Sequence, residues 1–203
     1  MGAVLPPALE ELSRLLGKLR GVGQKTAQRL ALQLLDSPDE YLQTLGASVA
    51  GLRERVRRCS RCRSLTERDP CSLCDDPRRR NDGLCVVAHV PDLFAVEASG
   101  AFDGRYFVLH GLLSPLDDQG PEDIETDALL ARAADGKVQE VILALPPSPE
   151  GEATGHYLAE RLRAAGLPHV TRIAYGVPHG SELGFVDRVS MAHALTRREE
   201  MSK

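Results

Sequence analysis

Cys59-Ser60-Arg61-Cys62-Arg63-Ser64-Leu65-Thr66-Glu67-Arg68-Asp69-Pro70-Cys71-Ser72-Leu73-Cys74 holds two CxxC steps separated by eight residues. A CxxC step lets two thiolates reach one tetrahedral ion, and eight residues suffice for a turn between the pairs. Two such pairs close a four-thiolate site with no open coordination position, so the expected cofactor is one structural Zn2+ per chain, held by Cys59, Cys62, Cys71 and Cys74. The competing use of four cysteines is disulfides. The start, Met1-Gly2-Ala3-Val4-Leu5-Pro6-Pro7, lacks the basic and apolar regions of a secretory leader. A chain kept in a reducing compartment rarely forms structural disulfides. The fifth cysteine, in Leu84-Cys85-Val86-Val87, reads as a small buried hydrophobe inside a strand, poorly exposed for nucleophilic attack. The six histidines show no metal-ligand spacing.

Around the cysteines lie Arg53, Arg55, Arg57, Arg58, Arg61, Arg63 and Arg68. A rigid knot under a basic surface points to nucleic acid before metabolism. The charge is unevenly spread: residues 1–80 hold 15 of the 25 Lys and Arg but only 10 of the 29 Asp and Glu. That split suggests a basic half for phosphate and an acidic half for protein, with ordinary surface variation as the plainer alternative. At 203 residues the chain can form one large domain or two small ones. Tryptophan is absent and aromatics make up 4%, so the core should be aliphatic. No apolar stretch approaches the ~20 residues needed to span a bilayer, and a soluble, intracellular protein without membrane partners is expected.

The residues before the knot read as helices. Leu9, Leu12, Leu15, Leu16 and Leu19 give helical spacing over 8–19, and Gly21-Val22-Gly23 breaks it. A second helix is predicted over 24–35. Ser37-Pro38-Asp39-Glu40 reads as an N-cap, a first-turn proline and first-turn acids, starting a third helix that runs toward Arg57. Beyond the knot the pattern alternates. Strands are predicted over 84–90, 105–110, 138–145 and 170–175, with helices over 124–134, 152–165 and 186–198 and Gly166 as a C′ residue. Strands alternating with helices argue for a mainly parallel four-stranded sheet covered on both faces.

Leu19-Arg20-Gly21-Val22-Gly23-Gln24-Lys25-Thr26-Ala27 resembles the helix-hairpin-helix DNA-binding motif. The chemistry stands without the likeness. Gly21 and Gly23 allow positive φ and a tight hairpin. Their N–H groups then point outward beside the start of the next helix, a natural phosphate site. Lys25 and Arg29, four apart, share one helical face beside it. Such a site reads backbone rather than base edges, so non-sequence-specific binding is expected, weak per copy and strongly salt-dependent. A plain glycine turn between core helices is the alternative.

The order of these parts resembles the RecR family of bacterial recombination mediators, and the likeness covers nearly the whole chain. It rests also on Leu109-His110-Gly111, Ser114-Pro115-Leu116, Gly120-Pro121-Glu122-Asp123-Ile124, Glu150-Gly151-Glu152-Ala153-Thr154 and Thr171-Arg172-Ile173-Ala174-Tyr175-Gly176-Val177-Pro178. The resemblance implies an α+β multidomain protein: helix-hairpin-helix region 1–56, zinc finger 57–80, α/β Toprim domain 81–168, and C-terminal strand-helix segment 169–203. Toprim enzymes carry a glutamate at the end of the first strand and a DxD pair after the third, which bind Mg2+. Here the first strand ends Val87-Ala88-His89-Val90 and the third is followed by Leu145-Pro146-Pro147-Ser148-Pro149. Only Glu150 and Glu152 remain at that edge, so no catalytic residues are expected and the domain reads as a silent scaffold.

The resemblance further implies a bacterial cytoplasmic protein, associated with the nucleoid during repair, that partners DNA, RecO and RecF. It implies a ring-like tetramer that helps load RecA onto single-stranded DNA coated by SSB. Asp117, Asp118, Glu122, Asp123, Glu150 and Glu152 are candidates for the partner-binding surface. Two other readings remain: a Mg2+-dependent Toprim nuclease or primase, and a zinc-stabilised protein adaptor that does not bind DNA.

Overall fold

The computed structural model describes residues 5–167, 169–198 and 200. Met1–Val4, part of the stretch read for a leader, and Pro168, the expected end of the Toprim segment, lie outside the described residues. The chain forms two compact units, Met1–Val56 and Arg57–Lys203.

The first unit is helical: α1 (Pro7–Leu16), α2 (Gln24–Leu35), α3 (Asp39–Ala50) and the short α4 (Leu52–Arg55). Small residues draw α1 and α2 together. Ala27, Ala31 and Ser13 are buried, and a Cβ added at Gly17 would lie 3.8 Å from the Ala27 Cβ. Two details depart from the sequence reading. Ser37 does not cap α3; its Oγ donates back to the Gln33 carbonyl at the end of α2, and Pro38 takes the cap position. The third helix also stops short of Arg57, because Gly51 ends α3 and a separate turn, α4, follows.

The second unit is built on one sheet. β3 (Gly83–Val87), β4 (Arg105–Val108), β5 (Glu140–Ala144) and β6 (His169–Arg172) pair in the order β4-β3-β5-β6, every pair parallel. The central β3 is buried along its whole length, as a strand covered on both faces must be. Its side chains alternate between two apolar layers. Leu84 and Val86 join Phe107, Val141, Leu143, Leu129, Leu158 and Leu162, supplied by β4, β5, α7 (Thr126–Ala133) and α8 (Pro149–Ala164). Cys85 and Val87 join Tyr106, Val108 and Leu93, under α6 (Val90–Ala98). Val90, read as the end of a strand, instead begins α6, where the Asp92 carboxylate accepts from the His89 N–H at 2.8 Å. α8 is delimited as a helix should be: Ser148 Oγ accepts from Gly151 N at its start, and Gly166 takes φ +90° just past its end. α9 (Arg188–Thr196) is capped by Asp187, which accepts from the N–H groups of Val189 and Ser190 at 2.9 Å each.

Candidate functional site

The cysteine knot forms first from local structure. β1 (Arg57–Arg58) and β2 (Leu65–Thr66) make a small antiparallel ribbon with Cys59 and Cys62 in its turn, and Cys71 and Cys74 mark the single-turn α5 (Ser72–Asp75). Turn chemistry fixes both ends. Asp69 accepts from the Ser60 N–H and Oγ, which holds its carboxyl below the usual range, and Arg63 turns the chain with φ +62°. The result gathers all four Sγ atoms within 4.8 Å of one another, each cysteine buried. Zn–S bonds of ~2.3 Å place tetrahedral sulfurs roughly 3.8 Å apart, so this thiolate set fits Zn2+. The site is a structural zinc centre with all four positions filled by protein.

The knot is fastened to the sheet by groups that the cysteine spacing does not reveal. The Val108 N–H donates to the Cys62 carbonyl at 2.9 Å. His110, also at positive φ, places Nε2 2.7 Å from the Arg63 carbonyl, so Nε2 carries the proton and donates. Two non-glycine residues in the left-handed region thus meet across one contact, a conformation tolerated only where the surroundings over-determine it. Arg105, almost wholly buried on β4, donates to Asn81 Oδ1 and to the carbonyls of Leu73 and Arg79. Glu125 at the start of α7 faces Arg58 at 3.0 Å and Arg63 at 3.5 Å. Arg79 pairs with Glu97 and lies over the Tyr106 ring. Several arginines that read as phosphate contacts therefore serve the fold: Arg58 and Arg63 meet Glu125, and Arg61 donates to the Cys74 carbonyl. The fifth cysteine, Cys85, is buried in the sheet, and burial pushes its thiol up to about 12.

In the helical unit the hairpin runs Gly17–Gly23. Gly21 takes φ +82°, whereas Gly23 is extended at φ −76° and N-caps α2 without a side-chain partner. Only one of the two glycines therefore uses the left-handed region; at the other a missing Cβ serves access rather than torsion. Lys25 and Arg29 are both exposed on α2. Val22, half-buried, donates its N–H to the Leu19 carbonyl and closes the turn.

The acidic candidates fall in two segments. Asp117, Asp118, Glu122 and Asp123 lie in the loop before α7, where Asp117 accepts from Ser114 Oγ and Asp123 from the Gly120 N–H. Glu150 and Glu152 sit in the first turn of α8. The segments are tied where the Leu113 N–H donates to Thr154 Oγ1. Glu152 is already engaged: Arg172 of β6 reaches both its oxygens, at 2.9 and 2.7 Å, and stacks on Tyr175. Arg172 is visible in the sequence only as part of a family-like run; pairing across the sheet edge gives it a role.

Comparison with known proteins follows the same division. Residues 9–51 match a family model described as RecR, helix-hairpin-helix; 56–76 match the RecR four-cysteine zinc finger domain; 82–174 match a Toprim domain; and 176–199 match RecR, C-terminal. Among relatives, the recombination protein RecR of Stutzerimonas stutzeri is 51% identical over 196 residues, covering 97% of this chain and 98% of that protein. That of Anaeromyxobacter dehalogenans is 48% identical over 199 residues, covering 98% and 100%. That of Saccharophagus degradans is 47% identical over 195 residues, covering 96% and 98%. With likeness of this degree over the full length of both partners, and a four-thiolate centre in the matching place, the chain belongs to the RecR family of recombination proteins.

Proposed function

We propose that this protein is a non-enzymatic recombination mediator that binds the DNA backbone without sequence preference, closes into a tetrameric ring, and acts with RecO or RecF to load RecA onto SSB-coated single-stranded DNA. The observation that carries the DNA part is the hairpin. A positive-φ turn at Gly21 leads into α2, whose cap residue Gly23 offers no side chain, while Lys25 and Arg29 stand exposed on the first two turns. Open N–H groups and two cations at one helix start suit a phosphate. Assembly is supported by apolar surface left in both units: Leu15, Leu19, Leu35 and Val49 in the first, Leu183, Phe185, Val189 and Leu195 in the second. A ring holds several weak phosphate sites around one strand, so they act through effective concentration. The silent Toprim reading is supported by the fate of Glu152, whose oxygens are held by Arg172 rather than turned to a shared ion. Glu150 and the loop acids remain as the surface for RecO.

DNA binding followed by fluorescence anisotropy tests the central claim. Lys25→Ala with Arg29→Ala should weaken binding by more than about tenfold and flatten its salt dependence, with helix content unchanged; unchanged affinity overturns it. Mass measurement in solution must show a tetramer in some condition. Charge reversal at Glu150 should reduce capture by RecO.

A further inference from the structure

The hairpin is not the only basic feature of the helical unit. On another side of the same helix pair, α1 and α2 enclose a cavity of about 560 Å³ lined by Glu10, Ser13, Arg14, Gly17, Lys18, Gln24 and Gln28. We propose that this groove is a second DNA-phosphate site, so that one helical unit grips the backbone at two points; the proposal rests on the DNA-binding reading above.

Four features of the groove point to an anion. Its polar lining comes from both helices: Arg14 and Lys18 from the last turn and exit of α1, Gln24 and Gln28 from the first turns of α2. Arg14 and Lys18 are exposed, and among the described residues neither meets an acidic partner. The groove begins where the hairpin site stops, since Gln24 lines it and Lys25 follows directly on the adjoining face of α2. At its floor, Ser13 is only 9% exposed and its Oγ has no hydrogen-bond partner. That leaves an unmet polar group directly beneath the lining of the groove.

Gly17 lines the groove between Arg14 and Lys18 and adds no side chain of its own to fill it. Glu10 sets the polarity. It lies in the first turn of α1, at the opposite end of the helix from Lys18, and its carboxylate repels an anion at that end. The phosphate therefore sits toward Lys18 and Gln24, next to the hairpin rather than at the far mouth. Gln24 and Gln28 supply neutral amide donors, which hydrogen-bond a phosphate oxygen without reading sequence.

Salt-titrated binding of the full-length protein to labelled single-stranded and duplex oligonucleotides tests this. Arg14→Gln with Lys18→Gln should lower the slope of log K against log salt by about 1.8 on duplex, or about 1.4 on a single strand, as two ionic contacts are lost. Gln28→Glu should weaken binding about fivefold or more at low salt, whereas Glu10→Gln should strengthen it about two- to threefold, with slopes moving accordingly. Circular dichroism spectra and melting must match the parent protein for each variant. If the double variant keeps the parent slope, or if it loses affinity equally at every salt concentration, the second site is refuted. If the parent protein itself binds no DNA, the DNA-binding reading fails and this site falls with it. If Lys25→Ala with Arg29→Ala abolishes binding while all three groove variants match the parent, the hairpin stands alone and the second site is refuted.

Discussion

The two units of this chain are stabilised by different means. Residues 57–203 bury a continuous aliphatic core on both faces of β3 and add a metal knot fastened to β4. Residues 5–56 bury little beyond Ala27, Ala31 and Ser13, and leave Leu15, Leu19, Leu32 and Leu35 exposed. The contrast teaches a division of labour. One unit is held by a deep core and a metal knot; the other is thin, and on the proposed reading it is the one that meets phosphate, while both leave apolar surface for a second copy. A small unit with so few buried side chains sits at the limit of independent stability.

The largest expected effect tests the first half of this contrast. Removing zinc with a chelator, or Cys62→Ser, should melt the knot, at a cost on the order of 10 kcal/mol of metal-linked folding energy. The measurement is the thermal transition of the sheet unit together with bound zinc. An unchanged transition in zinc-free protein would break the claim that the knot supports the sheet. Next, Leu158→Ala, a fully buried position on α8, should cost about 2–5 kcal/mol by denaturant titration. The exposed Leu35→Ala should change monomer stability by less than ~0.5 kcal/mol yet weaken assembly, seen as a melting temperature that no longer rises with protein concentration. A Leu35→Ala loss as large as that at Leu158 would erase the distinction between the units.

Gly151→Ala sharpens the comparison within α8. An added Cβ would lie 2.0 Å from the Pro146 carbonyl oxygen, so either the loop or the helix start must move. A loss of about 1–3 kcal/mol is expected, together with a disturbed Glu150 edge, read by denaturant titration and RecO capture. The smallest effect is at the far end. Asp187→Ala should fray the first turn of α9 and leave the melting of the sheet untouched. Hydrogen bonds from Ser190, with the Val189 N–H, hold the Asp187 carboxyl below its usual range. Its contribution is therefore fully present above the unfolded carboxylate value of about 3.9 and fades as pH falls through the lower folded value. α9 helicity followed during acid titration checks the sign.

Features carried by spacing or by a single residue's torsion were legible in the sequence. The doubled CxxC predicted a zinc centre, and the four cysteines meet in one buried cluster. Gly21-Val22-Gly23 placed the turn before α2, whose span matches the prediction at both ends. Alternation of strands and helices pointed to the parallel sheet. Features carried by long-range contact were hidden. Nothing local marks Glu125 as the partner of Arg58 and Arg63, or Arg105 as a buried hub between Asn81 and two carbonyls. Such arginines look like surface charge until the fold supplies their acceptors. Ser37 misled for a related reason: a serine between two helices can serve either, and here the carbonyl of Gln33 behind it takes its hydroxyl.

The bond from the Val108 N–H to the Cys62 carbonyl has a consequence for the chain's life in a crowded solution. β4 is the last strand on its side of the sheet, and its outward backbone is the kind of open border on which another chain can add a strand. The knot sits over that border like a lid on a seam. Zinc starvation would then do more than loosen a small motif: it would expose a sheet border to its neighbours, and light scattering should rise in zinc-free protein before helix content falls.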